Sequence, residues 1–198
     1  RVALAQVDDA ASAWGYDLAG QCAVPAPNEG FVAVAGGEAH SFGLRADGTI
    51  VAWGDGALGQ LDVPDGGGGY LAVAAGRAHG LALRADGSVA AWGDDGNGQC
   101  DVPAPNADFA AVAAGNRHSL GLKADGTIVT WGANFAGQGN VPAPNAGFTA
   151  IAAGGDHSLA LRADGSVAAW GRNDHGQCVV PEPNAGFVAI AASLGHSL

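Results

Sequence analysis

The sequence predicts an all-β protein, a chain of small antiparallel sheets repeated one after another, and three observations carry that expectation. Glycine makes up 34 of 198 residues, about 17% against the usual ~7%, and each glycine inside a helix costs about 1 kcal/mol. Apolar residues still account for 48% of the chain, enough to build a core rather than a disordered tail. Tryptophan recurs at Trp14, Trp53, Trp92, Trp131 and Trp170, five times at a spacing of 39 with no insertion. Gln21, Gln60, Gln99, Gln138 and Gln177 keep the same interval, as do His40, His79, His118, His157 and His196, with Arg1 at the phase of a sixth His. Residues 1–198 therefore read as a single array of five 39-residue repeats with no second domain.

The elements of one unit follow in order along residues 148–177. The run FTAIAA at 148–153, ended by Gly154, suits a short buried strand. After Gly155-Asp156, residues 157–162 alternate His157, Leu159 and Leu161 with Ser158, Ala160 and Arg162, the period of two of a second strand. Asp164-Gly165 supplies the positive φ of a tight hairpin turn, and residues 166–170 return as a third strand ending at Trp170. Past Gly171 a variable loop runs to Gly176-Gln177, followed by a short outer segment and a Pro-rich link. Proline stiffens that link and is excluded from a central strand.

A sheet of three or four strands with so little polar surface must be covered on both faces. Rows of Leu and Trp facing rows of Ala and Gly suit sheets stacked on sheets, and radial repetition covers them while protecting their edges. The Trp row is expected to lie in the core. Each indole could contribute about 4–6 kcal/mol before entropy costs, at ~25 cal/mol per Å². The chain begins and ends in the His-strand phase, so a last inner strand near 187–192 is expected to complete the unit whose other strands lie at 2–24. In that first unit Asp8-Asp9 replaces Asp-Gly, as befits a terminal copy.

The recurring pattern is apolar-x-x-apolar-Ala-x-Gly-x-x-His-Ser-Leu-x-Leu-x-x-Asp-Gly-x-apolar-x-x-Trp-Gly-x-x-x-x-Gly-Gln, almost intact at 109–138 and 148–177. It resembles the family of regulator-of-chromosome-condensation (RCC1-like) repeats over nearly the whole chain. The short unit with Val-Pro-Ala-Pro-Asn links looks most like a bacterial branch that includes a secreted inhibitor of β-lactamases. The resemblance implies a β-propeller, usually of seven blades. Five copies then stand for a closed five-bladed ring or for part of a seven-bladed one. An extracellular or cell-surface location is favoured by the resemblance only.

Several chemistries are excluded by the residues themselves. A net charge of −11 from 19 acidic and 8 basic residues is a poor match for nucleic acid. No apolar run approaches the ~18 residues that span a bilayer, so no membrane insertion is expected. The start at Arg1 without Met is read as a processed product or a fragment. In-phase His side chains on separate blades diverge too far for one metal ion, so each is expected to be structural and bonded to neighbouring backbone. In pairs such as His118-Ser119 the two side chains point to opposite faces, which argues against a nucleophile and its base. Gly54-Asp-Gly56-Ala-Leu-Gly59 matches a dinucleotide fingerprint, but no helix pattern follows it. Cys22, Cys100 and Cys178 recur in one phase and are expected to be free, buried thiols. No catalytic residue, metal or cofactor is assigned.

Function is expected where the units differ. Two sets of loops vary, those before each His and those between Trp-Gly and Gly-Gln. By the resemblance both lie on one face. The candidate binding residues are Tyr16, Leu18, Glu38, Asp55, Arg77, Asp94, Asn116, Arg117, Asn134, Phe135, Asp156, Arg172 and His175. The expected role is a non-enzymatic propeller that offers this face to a protein or glycan partner, in an oligomeric state the sequence leaves open. The alternatives are a structural segment of a larger extracellular or surface protein, and a protein like the β-lactamase inhibitor. Against the last stands the aromatic count: only Tyr16 and Phe135 fall on the variable face, whereas tight interfaces draw on Trp, Tyr and Arg.

Overall fold

The computed structural model describes residues 3–7, 10–65 and 68–198, the first five through their backbone alone. Every helix or strand among the described residues is a strand. A hairpin of β1 (Ala3–Val7) and β2 (Ala10–Trp14) comes first. Three-stranded antiparallel sheets follow: β3 (Phe31–Gly36), β4 (His40–Arg45) and β5 (Ile50–Gly54); then β6 (Tyr70–Ala75), β7 (His79–Arg84) and β8 (Val89–Gly93). The last two sheets are β9 (Phe109–Ala114), β10 (His118–Lys123) and β11 (Ile128–Gly132), and β12 (Phe148–Ala153), β13 (His157–Arg162) and β14 (Val167–Gly171). In each of these four the His-bearing strand is central, with the apolar strand on one side and the Trp strand on the other.

The register follows from the sequence pattern. Ser41 stands opposite Trp53 and His40 opposite Gly54, and the same pairs recur at Ser119–Trp131 and Ser158–Trp170. Central strands are buried on both faces except at their final basic residue. The Asp-Gly turns divide their work between the two residues. Gly48, Gly87, Gly126 and Gly165 take φ values of 77–81°, the left-handed region where a Cβ is disfavoured. Each Asp instead caps the returning strand, as Asp47 Oδ1 does by accepting from Thr49 N at 2.9 Å and Thr49 Oγ1 at 2.7 Å.

The cores lie between sheets rather than within them. Phe42 and Leu44 of one sheet pack with Tyr70, Ala82, Ala90 and Trp92 of the next. Leu120, Leu122 and Ile128 pack in the same way with Phe148, Ala160 and Trp170. At the far end of the sheets a basic side chain closes over each aromatic of the apolar strand: Arg45 over Phe31, Arg84 over Tyr70, Lys123 over Phe109 and Arg162 over Phe148, at 3.6–5.4 Å. Four of the eight basic residues are thereby held at the edge opposite the variable loops.

Three expectations need correction. Residues 187–192 form no strand; Phe187 N donates to Gly165 O at 3.0 Å, a bridge joins Ala192 to Ser197, and backbone bonds run between Ala191 and Leu198 and from Ser193 N to His196 O. Among the described residues β1 and β2 form a two-stranded sheet of their own, which does not include residues 187–192 as the expected completion of the first unit requires. Trp14 is 54% exposed, whereas Trp53, Trp92, Trp131 and Trp170 are 5–8% exposed, because each of those four packs on a preceding unit. The three cysteines are free, as expected, but only partly buried. Arg1 and Asp8-Asp9 lie outside the described residues.

Candidate functional site

The buried grid is a set of hydrogen bonds that runs from one unit to the next. The Gln99 carbonyl accepts from Ser119 Oγ and from Trp131 Nε1, both at 2.8 Å. Gln138 does the same for Ser158 at 2.9 Å and Trp170 at 2.8 Å, and Gln21 for Ser41 at 3.0 Å and Trp53 at 2.8 Å. The serine oxygen in turn meets a histidine of the unit before it: His79 Nε2 with Ser119 Oγ at 3.0 Å, His118 with Ser158 at 3.1 Å, and His157 with Ser197 at 3.0 Å. The expected backbone partner of these rings is thus a serine hydroxyl instead.

The direction of these bonds rules out one chemistry. Each serine gives its proton to a Gln carbonyl, so the histidine must donate from Nε2 to the serine oxygen. A base that already donates there cannot take the hydroxyl proton. Burial holds the imidazoles neutral, lowering the pKa of His79 and His118 to about 4. His40 departs from the pattern. Its partner position is Gly80, and the ring lies buried against the His79 backbone with no hydroxyl to meet. Its pKa is likewise lowered by burial to about 4.

The loops before His and after Trp-Gly do share one end of every sheet. A backbone bond of 2.8 Å ties them together in each of the four: Asp55 N to Ala39 O, Asp94 N to Ala78 O, Ala133 N to Arg117 O, and Arg172 N to Asp156 O. The second loop is also gripped by its own Gln, whose Oε1 accepts from Ala19 N, Leu58 N, Asn97 N, Ala136 N or His175 N at 2.8–3.0 Å. Several candidate residues act inside this scaffold. Asp55 and Asp94 accept from Gln60 Nε2 and Gln99 Nε2 at 3.3 and 3.0 Å, and Asn134 accepts from Gly139 N at 2.8 Å.

The remaining candidates fall into separate groups. A cavity of about 590 Å³ opens where the apolar strands of successive sheets meet, lined by Gly37, Gly76, Gly115 and Gly154 with Glu38, Arg77 and Asn116 at its rim. The close approach there requires glycine, since a Cβ at Gly76 would stand 2.2 Å from His79 Cε1 and 2.6 Å from the Gly115 carbonyl. Arg77 bridges to Glu38 of the neighbouring unit at 2.7 Å. A second cleft of about 500 Å³ between the last two full sheets brings together Arg117, Phe135, Asp156 and Arg172, with Asp174 beside them. Arg172 is paired there with Asp174 at 2.6 Å and Asp156 at 3.6 Å, whereas Phe135 stands 84% exposed. Tyr16 and Leu18 are exposed on the first unit's loop, outside both hollows. His175 lines a third, apolar cleft with Val180 and Phe187.

The family model for the regulator of chromosome condensation (RCC1) repeat matches residues 31–60, 71–99, 109–138 and 148–177. The chain belongs to this family. No curated protein matches it by sequence. Among solved structures, the RCC1-repeat array is similar to Prp20p of Saccharomyces cerevisiae, at 21% identity and a TM-score of 0.69 over 84% of this chain and 54% of that one. That structure is described with its binding to Gsp1p and histones. The array is also similar to the ectodomain of the receptor kinase CR4 from Physcomitrella patens (25% identity, TM-score 0.74, 94% of this chain and 52% of that one). Human WBSCR16 shares the fold at 19% identity and a TM-score of 0.72, over 96% of this chain and 67% of that one. The chain thus spans about half the length of the first two proteins, and the likeness at these identities is one of fold.

Within the RCC1 repeats, the residue that sequence reasoning passed over is the serine after each histidine. Its signal was present in the in-phase Ser41, Ser119, Ser158 and Ser197, broken only at Gly80. A serine in a buried row must find a partner; here it is the main-chain carbonyl at the in-phase Gln position, an acceptor that residue type does not announce.

Proposed function

We propose that this chain is a protein-interaction array, 1–198 acting as one domain, which presents the loop end of its sheets to a protein partner and carries out no catalysis. The observation that carries this reading is the contrast between frame and tips. The Gln grip and the 2.8 Å loop-to-loop bonds hold the backbone, while Tyr16, Leu18 and Phe135 stand 70–84% exposed on it. Exposed apolar groups on a rigid support lose little entropy on binding, and the arginines around Phe135 add charge-based selectivity. The five units are read as a closed five-bladed ring or as part of a seven-bladed one. An inhibitor-like face would need more aromatic side chains than these loops offer.

The test replaces Tyr16, Arg77, Arg117 and Phe135 together by Ala. Capture of the native partner by crosslinking should be lost while the melting temperature stays within a few degrees of wild type. Unaltered capture would reject this face. A second reading, a structural segment of a larger surface protein, is favoured by the match to about half of a receptor ectodomain. The intact mass of the native polypeptide separates the two.

A further inference from the structure

Seven basic side chains lie among the described residues, and six of them are already committed. Arg45, Arg84, Lys123 and Arg162 lie over aromatic rings at the far end of the sheets. Arg77 is bridged to Glu38, and Arg172 is held by Asp174 and Asp156. Arg117 is the seventh. It is exposed, and among the described residues its guanidinium has neither a carboxylate nor an aromatic ring to meet. It lines the cleft of about 500 Å³ between the sheets β9–β11 and β12–β14, together with Phe135. Hydrogen bonds fix the backbone under both. The Arg117 carbonyl accepts from Ala133 N at 2.8 Å. On either side of Phe135, Asn134 Oδ1 accepts from Gly139 N at 2.8 Å and Ala136 N donates to Gln138 Oε1 at 2.8 Å. The ring is thus presented, 84% exposed, by a fixed loop.

The charges of the cleft select the sign of what enters it. Asp156 and Asp174 are both taken up by Arg172, at 3.6 and 2.6 Å. An incoming cation would have to draw one of them away from Arg172 against the repulsion of Arg117. An incoming carboxylate instead finds a planar fork of donors that no carboxylate of this chain occupies, a geometry suited to bidentate pairing. An ion pair left in water contributes little, so the carboxylate alone would bind weakly. Phe135 supplies the rest, because an apolar group laid on its ring leaves water with it. We propose that this cleft takes an acidic-apolar segment of a protein partner. A side-chain carboxylate of that segment pairs with Arg117, and a large apolar or aromatic side chain close to it in sequence packs on Phe135. This occupant presupposes the loop end as the partner face, and narrows it to one pair of sheets and one sign of charge.

The test selects from a random peptide library with capped termini on the immobilised 198-residue chain, so the native partner need not be known. Wild type should enrich peptides in which Asp or Glu stands close to Phe, Tyr, Trp or Leu. Resynthesised with Asn or Gln in place of the acid, those peptides should bind about tenfold more weakly. Arg117→Gln should lose the preference for the acid and keep the one for the apolar group, and Phe135→Ala should do the reverse. Both positions are exposed, and unchanged melting temperatures should show that both variants fold. Backbone amide resonances of residues 133–136 and 172–174 should shift when an enriched peptide is added. No enrichment of acidic-apolar sequences, enrichment of basic ones, or an acid preference that survives Arg117→Gln would each overturn the proposal. The fourfold loop variant reads the broader claim separately. Loss of native-partner capture in that variant, without an acid preference in the selection, keeps the partner face and removes this occupant. Unaltered capture, with an acid preference that depends on Arg117, keeps the cleft's selectivity and removes the partner face.

Discussion

Tryptophan, histidine and serine each act here through a partner 20 to 40 residues away, which is why single positions matter so much. Replacing Trp92 by Ala removes the indole from between Phe42, Tyr70 and Ala82 and leaves Gln60 O without its 2.9 Å donor. Such a change should cost about 3–5 kcal/mol. Trp14→Ala, at a half-exposed site, should cost less than about 1 kcal/mol in dilute solution. Urea midpoints of the two variants check the contrast, and equal losses would contradict it. The histidines predict a pH response. In the folded chain His40, His79 and His118 stay neutral until about pH 4, while unfolded imidazoles take a proton near 6.5. The unfolded state therefore binds more protons between those values, and stability falls as pH is lowered from about 6.5 to about 4. Below that window these rings add no further loss. A urea midpoint that is flat across it would rule the account out.

At the scale of the sheet, Gly80 is explained by its neighbour across the interface. Interior pairs combine Leu with Ser: Leu81 with Ser119, and Leu120 with Ser158. Only here does Phe42 face a glycine. A Cβ on Gly80 would stand 2.8 Å from Phe42 Cε2 and 2.4 Å from Trp92 Cζ2, so the larger ring fills the space of the missing serine. Gly80→Ser alone should destabilise by about 1–3 kcal/mol through overpacking, despite offering His40 a hydroxyl. Combining it with Phe42→Leu should recover most of that loss, with a coupling above about 1 kcal/mol in a double-mutant cycle. Additive effects would mean that the two sites do not share space.

The same sheets show which parts of the molecule the sequence made legible. Strand order, the turns at Asp-Gly and the burial of four Trp followed from a period of 39 and alternation within each unit, since those patterns answer to local geometry. The strand expected at 187–192 depended on long-range pairing with the unit at 2–24, which the period of 39 does not specify; β1 and β2 instead form a two-stranded sheet. The loops before His and after Trp-Gly meet at one end of each three-stranded sheet. The division of their candidate residues into a scaffold set (Asp55, Asp94, Asn134) and an exposed set (Tyr16, Leu18, Phe135) was not readable, because a short polar side chain serves a loop or a partner equally well until its hydrogen bonds are seen.

For the whole molecule, the account holds that each sheet is stable only through the interface with its neighbour, so that the array melts as coupled units rather than as independent ones. Changing the loop tips should leave that coupling intact. Changing one indole should not. Native-state hydrogen exchange on the full chain with and without Trp92→Ala tests this most directly. The account predicts that the variant loses protection in β4 and β5 of the preceding sheet as well as in β7 and β8 of its own, with β13 least affected. Loss confined to β6–β8, with β4 as protected as in wild type, would contradict it.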